Sequence, residues 1–240
     1  VSTMDKVTYS SDTTAAVPGA RLSVARNGLA ATGSSTAGYF GGGTVPPSFY
    51  STMDKVTYSS DTTAAVPGAA LSAARHGVAA TGNSTAGYFG GGASPSLVST
   101  MDKVTYASDT TAAVPGANLT VARYLLAATG NSTAGYFGGG SPTSSIMDKV
   151  TYASDTTAAV PGAALSVARF AFAATGNSTA GYFGGGFSGS IRSTMDKVTY
   201  ASDTTAAVPG AALSVARNGL AASSARANAL PETAPGPFVV

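Results

Sequence analysis

The sequence has no cysteine and no tryptophan, a single histidine and only 10% charged residues. Without cysteine there is no disulfide framework, no thiolate metal site and no cysteine nucleophile. One histidine, His76, excludes multi-histidine zinc sites and a His-Glu-x-x-His helix. No run reaches the roughly 18 consecutive apolar residues of a membrane helix, so no membrane insertion is expected. The mean hydropathy of +0.17 reflects alanine. A formal net charge of +2 leaves no electrostatic footprint for nucleic acid.

What the chain has in abundance is repetition. Met-Asp-Lys-Val-Thr-Tyr starts at Met4, Met53, Met101, Met147 and Met195, at spacings of 49, 48, 46 and 48. Gly-Tyr-Phe-Gly-Gly-Gly starts at Gly38, Gly87, Gly135 and Gly181, and an Ala-Arg pair ends at Arg26, Arg75, Arg123, Arg169 and Arg217. A period near 48 signals a solenoid, propeller or array. The apolar residues of a unit fall in short runs: Gly28–Thr32, Ala37–Gly41, Met4–Tyr9 and Thr14–Val17. Turn residues separate them, at Gly33-Ser34-Ser35, Ser10-Ser11-Asp12 and Pro18-Gly19. None is long enough for a helix, and their valine, threonine, tyrosine and phenylalanine favour strands. Four short strands in 40–50 residues is the pattern of a propeller blade.

The order Arg26, strand, turn, Tyr39-Phe40-Gly41-Gly42, loop, Val7-Thr8-Tyr9, turn, strand resembles a kelch repeat. That family places an arginine before its first strand, a double glycine at the end of its second and a tyrosine in its third. The resemblance covers all five units, with one departure. The fourth strand, which usually carries a tryptophan, reads Ala15-Ala16-Val17, so a large anchor between blades is missing. The whole unit also resembles low-complexity kelch-like repeats in virion proteins of marine cyanobacterial phages. The fold expected is all-β: a single domain over 1–240 forming a five-bladed kelch-like β-propeller of four-stranded blades, closed by a composite blade from both chain ends. The chain holds five first, third and fourth strands but only four good second strands. The divergent tail 227–240 ends Pro237-Phe238-Val239-Val240, and Phe238–Val240 is read as the substitute second strand, covering two sheet edges. Val1-Ser2-Thr3-Met4 recurs as Val98-Ser99-Thr100-Met101, which leaves room for a further repeat upstream.

The chemistry-bearing motifs mostly have structural readings. A phosphate loop needs a helix after its glycines, and Thr44-Val45-Pro46-Pro47 follows Gly43 instead. The repeated Asp5, Lys6, Asp12 and Arg26 cancel within each unit. Asp12 suits an Asx-type turn cap, and Arg26 suits a bridge between neighbouring blades. Aspartates on separate strands gather too few oxygens for calcium, so no metal or cofactor is expected. Asn83-Ser84-Thr85, Asn131-Ser132-Thr133 and Asn177-Ser178-Thr179 read as hairpin turns rather than glycosylation sites. Leu230-Pro231-Glu232-Thr233-Ala234 is similar to a sortase signal, but only six residues follow it. No serine or carboxylate recurs in motif form beside His76, so no catalytic residues are assigned and no enzyme is expected.

Comparison between the units locates the variation. It concentrates in the loops Thr44–Tyr50, Ala93–Val98, Ser141–Ile146 and Phe187–Arg192, and at Asn27, His76, Tyr124, Phe170 and Asn218 before each first strand. Antiparallel geometry puts these two places on one face, and loops on a rigid scaffold are where binding usually resides. The candidate ligand-binding residues are therefore Asn27, Phe49, Tyr50, His76, Tyr124, Phe170, Phe187, Arg192 and Asn218. The phage resemblance implies a virion or extracellular location, a tail fibre or similar appendage, and other virion proteins as partners. It also implies a host-surface glycan or receptor as the ligand. A ligand-free virion decoration or spacer, and a cellular or secreted lectin-like adhesin, are the other expectations.

Overall fold

The computed structural model describes residues 2–8 and 10–222. Its strands, in chain order, begin with a hairpin of β1 (Asp5–Thr8) and β2 (Thr13–Ala16). Four sheets of four antiparallel strands follow. The first contains β3 (Ala30–Gly33), β4 (Ala37–Gly41), β7 (Met53–Thr57) and β8 (Thr62–Ala65), with β5 (Thr44–Val45) and β6 (Ser48–Phe49) forming a small hairpin inside its long loop. The second contains β9 (Ala79–Gly82), β10 (Ala86–Gly90), β13 (Met101–Thr105) and β14 (Thr110–Ala113), with β11 (Ala93–Ser94) and β12 (Ser96–Leu97) as its loop hairpin. The third is β15 (Ala127–Gly130), β16 (Ala134–Gly138), β17 (Met147–Thr151) and β18 (Thr156–Ala159). The fourth is β19 (Ala173–Gly176), β20 (Ala180–Gly184), β21 (Met195–Thr199) and β22 (Thr204–Ala207). The expected strand runs match to within two residues at each end. The 3-10 turns Pro18–Ala20, Pro67–Ala69, Pro115–Ala117, Pro161–Ala163 and Pro209–Ala211 are additions that the sequence reading did not contain. The expected closing strand at Phe238–Val240 lies outside the described residues.

Local chemistry explains each turn. The Asn83 side-chain oxygen accepts from the backbone N–H groups of Thr85 and Ala86 at 2.9 and 3.0 Å, and Asn131 and Asn177 repeat the arrangement. Ser34 does the same with its hydroxyl in the first unit. The next turn holds an aspartate at positive φ, between 50 and 53° at Asp12, Asp61, Asp109, Asp155 and Asp203. Aspartate is among the few L-residues that visit this region readily. The double glycine allows a close approach. A side-chain carbon on Gly42 would stand 2.7 Å from the Arg75 carbonyl oxygen, and that same oxygen accepts from Gly43 at 2.9 Å.

The core lies between sheets. Where two complete sheets meet, the tyrosine of one second strand faces the following sheet and the phenylalanine of the next faces the preceding one, as the two-residue period of a strand requires. Tyr39, Tyr88 and Tyr136 stack on Tyr106, Tyr152 and Tyr200 at 4.9, 4.8 and 4.9 Å between ring centroids. Phe89, Phe137 and Phe183 are fully buried, their ring edges 3.0, 3.0 and 3.2 Å from where a side chain on Gly41, Gly90 or Gly138 would begin. A methionine (Met53, Met101 or Met147) and a leucine (Leu71, Leu119 or Leu165) complete each cluster. The first strands lie innermost. Ala30-Ala31, Ala79-Ala80, Ala127-Ala128, Ala173-Ala174 and Ala221-Ala222 all line one cavity of about 330 Å3.

Two expectations about charge are corrected. Arg26 does not bridge neighbouring sheets. Its guanidinium lies across its own sheet, donating to the Phe40 and Gly42 carbonyls and pairing with Asp54 of β7 at 2.9 Å. Asp109, Asp155 and Asp203 do not cap their own turns. They reach the neighbouring sheet, where they accept from Tyr39, Tyr88 and Tyr136 and pair with Lys55, Lys103 and Lys149 at 2.8, 2.8 and 2.7 Å. The positive φ turns each carboxylate outward, away from its own backbone.

Phe137→Ala should cost about 3–5 kcal/mol, because it empties a fully buried site. Phe40→Ala should cost clearly less, since that ring is only half-buried. Urea denaturation of the two variants checks this, and equal losses would contradict the assigned core.

Candidate functional site

The repeated charged groups are taken up by the structure. Arg26, Arg75, Arg123 and Arg169 pair with Asp54, Asp102, Asp148 and Asp196 at 2.8–3.0 Å, with side chains at most 1% exposed. The same carboxylates accept the backbone N–H of Ser23, Ser72, Thr120 and Ser166, which pins the incoming connection to the sheet. A buried pair of this kind fixes geometry more than it adds stability. Burial would raise the carboxyls of Asp109, Asp155 and Asp203, but hydrogen bonds from their lysine and tyrosine partners outweigh it and hold them below the ordinary value. Burial, then the nearby carboxylates, push the phenols of Tyr39, Tyr88 and Tyr136 above theirs. Burial also pushes Tyr200 up to about 12. Among the described residues no cluster of His, Asp or Glu has a geometry that would hold a metal ion.

The varied residues come together at one end of the sheets. Asn27 bridges Thr44, His76 bridges Ala93, Tyr124 bridges Ser141 and Phe170 bridges Phe187, so each start of a first strand is joined to the long loop of its own unit. The loop ring of Phe49 stacks on His76 at 5.0 Å, and His76 meets Tyr124 edge-on at 5.8 Å. Rings from three successive units therefore form one continuous run. Phe170 and Phe187 form a second cluster, 5.5 Å apart. Tyr50 is half-buried, and its carbonyl accepts the backbone N–H of Arg75. Arg192 donates to the Ser188 carbonyl at 2.9 Å and shapes its own loop. Asn27 and Asn218 are exposed.

Sequence reasoning missed the backbone beneath these side chains. Gly28, Gly77, Leu125, Ala171 and Gly219, each one residue after a varied position, all have φ between 53 and 64°. They form a chain of hydrogen bonds from unit to unit. Gly77 donates to the Gly28 carbonyl at 2.7 Å, Leu125 to Gly77 at 2.8 Å, Ala171 to Leu125 at 2.9 Å and Gly219 to Ala171 at 2.8 Å. Glycine suits this conformation, and Leu125 and Ala171 hold it under strain. They follow Tyr124 and Phe170, the tyrosine and phenylalanine of the set. The glycines at 28, 77 and 219 were the available signal, hidden by the two exceptions.

No family model matches the chain, and no curated protein is similar to it.

Two outcomes follow from the charges and the strained backbone. The depressed aspartates contribute stability above their unfolded value near pH 4, lost as pH falls through their lower folded values. The raised tyrosines contribute stability below roughly pH 10, lost as pH rises beyond it. The melting temperature should therefore be flat from about pH 5 to 9 and fall on both sides. Greater stability at pH 3 than at pH 6 would contradict these pairings. Separately, Ala171→Gly should raise stability by about 1 kcal/mol by relieving the left-handed strain, as read by chemical denaturation. A destabilised variant would show that the strain is absent.

Proposed function

We propose that the chain is a non-enzymatic binding module built as a five-bladed, kelch-like propeller. Its fifth blade is composite, formed from residues 219–222, the β1–β2 hairpin and a strand from the tail 227–240. Three features support the ring: the inner alanines of five units line one cavity, the hydrogen-bond chain Gly28–Gly77–Leu125–Ala171–Gly219 runs around it, and Lys6 of the hairpin pairs with Asp61 of the first sheet at 2.8 Å. The last of these repeats the contact that the lysines of the complete sheets make with their neighbours.

One observation carries the functional reading. The units are nearly identical at their cores and turns, and their variation converges on one face, where aromatic rings and polar groups stand side by side. Aromatic faces offer flat apolar surface to sugar rings, while Asn27, His76, Asn218 and Arg192 add hydrogen-bonding groups. The ligand class is a surface glycan or a receptor carrying one. With the repeat resemblance this gives a phage virion appendage, outside the cell, assembled with other virion proteins and touching the host. The module is read as binding without catalysis: among the described residues of the face, none has the base and orienting partner that a nucleophile requires.

The ring stacking itself favours a second reading. Phe49 on His76 joins neighbouring units, which is what a purely structural spacer would also need. The combined variant Tyr124→Ser, Phe170→Ser and Phe187→Ser separates the two. Binding to a glycan array or to host cells should fall at least tenfold, with the melting temperature nearly unchanged. Intact attachment, or attachment lost only through unfolding, would move the assignment to the spacer.

A further inference from the structure

Among the described residues the interlocking of the sheets is incomplete at one place, and what would complete it can be read from both sides. On the side of the fourth sheet, Tyr182, Gly184, Met195, Leu213 and Leu220 line an apolar groove of about 350 Å3. In the three preceding interfaces the equivalent hollow is filled by Phe89, Phe137 or Phe183. A side chain on Gly184 would meet Met195 and no aromatic ring. On the side of the first sheet, Tyr58 is 47% exposed, whereas Tyr106, Tyr152 and Tyr200 are 6–9% exposed beneath a stacked tyrosine. Asp61 has its lysine, Lys6, but among the described residues no tyrosine donates to it. Between the two sides, β1 pairs among the described residues with β2 alone, and Val7 is 52% exposed where Val104, Val150 and Val198 are fully buried.

One strand would satisfy all of these at once. Its register is set by the complete sheets, where the phenylalanine lies opposite Asp54, the tyrosine opposite Lys55 and the first glycine opposite Val56. A strand beside β1 would place phenylalanine opposite Asp5, aimed at the groove, and tyrosine opposite Lys6, aimed at Tyr58 and Asp61. Resting on the ring reading above, we infer that the gap between the fourth sheet and the β1–β2 hairpin is a strand-acceptor site. Its ligand is an extended partner segment carrying Gly-Tyr-Phe-Gly, a further repeat of this kind supplied in trans. Recognition is strand addition: main-chain hydrogen bonds to β1 give affinity, and the two aromatic pockets give specificity. The chain's own Gly236-Pro237-Phe238-Val239 matches that pattern at glycine and phenylalanine only. Proline supplies neither the phenol that Asp61 accepts from nor a main-chain N–H. A segment with the full pattern therefore suits the site better than the tail sequence does.

The test uses a fluorescent peptide with the sequence of residues 131–140 and the full chain, read by anisotropy. Saturable 1:1 binding is expected, weakened at least tenfold when the peptide carries Tyr136→Ser and Phe137→Ser. Gly184→Ala in the protein places a methyl where the ring edge would sit and meets only the flexible end of Met195. It should abolish binding at an unchanged melting temperature. Hydrogen exchange should show new protection at Asp5–Thr8 when the peptide is bound. In the full chain, Phe238→Ser should tighten binding several-fold. If binding stands but this variant changes nothing, the acceptor site holds and the tail's role in the composite blade falls. Binding seen only with Phe238→Ser would assign the gap to the tail and overturn exchange in trans. No saturable binding to either protein, or equal binding of the serine peptide, would overturn the site itself.

Discussion

The structure depends on four residues of each second strand, Gly-Tyr-Phe-Gly, whose two rings point in opposite directions. The period of a β-strand sends tyrosine to one neighbour and phenylalanine to the other, so each sheet holds both adjacent sheets through one short segment. The flanking glycines are part of the same device. Gly41 leaves room for the incoming ring of Phe89, and Gly38 for the hydroxyl of Tyr58, which would lie 2.9 Å from a side-chain carbon there. No tryptophan is needed as an anchor between sheets, because stacked tyrosine pairs and a phenylalanine set beside methionine take its place. Sheets held in this way contact mainly their neighbours, as in other repeat arrays.

Two kinds of ion pair divide the remaining work. The arginine–aspartate pair is buried within one sheet and orders the chain as it enters the inner strand. The lysine–aspartate–tyrosine group is partly exposed and joins one sheet to the next. The first is shut away from solvent, while in the second the aspartates are held below and the tyrosines above their ordinary values. With these charges paired inside the scaffold, the varied face is left with aromatic, amide, imidazole and guanidinium groups.

Much of this was legible in the sequence. The period, the four strand runs and the turn between the first two strands follow from local chemistry, with asparagine capping that turn in three complete units and Ser34 in the other. The face on which Asn27, His76, Tyr124 and Phe170 meet the long loops follows from antiparallel order alone. What was not legible depends on contacts distant in sequence. Nothing in Asp12 or Asp61 distinguishes a turn cap from a carboxylate turned toward the next sheet, because only the backbone φ decides. The expectation that Arg26 bridges neighbouring blades fails for a similar reason: its aspartate, Asp54, lies on the third strand of the same sheet, 28 residues on. The hydrogen-bond chain under the varied face was hidden because Leu125 and Ala171 stand where glycine would have marked the conformation.

The central claim is that each sheet is held by the rings of its neighbours, so the elements at the ends of the described series, the β1–β2 hairpin above all, are the weakest. Native-state hydrogen exchange, read by mass spectrometry, measures this directly. The strands Ala86–Gly90 and Ala134–Gly138, in sheets flanked on both sides, should exchange slowest, and Asp5–Thr8 with Thr13–Ala16 fastest. Uniform protection across all the sheets, or slowest exchange in the β1–β2 hairpin, would contradict the account.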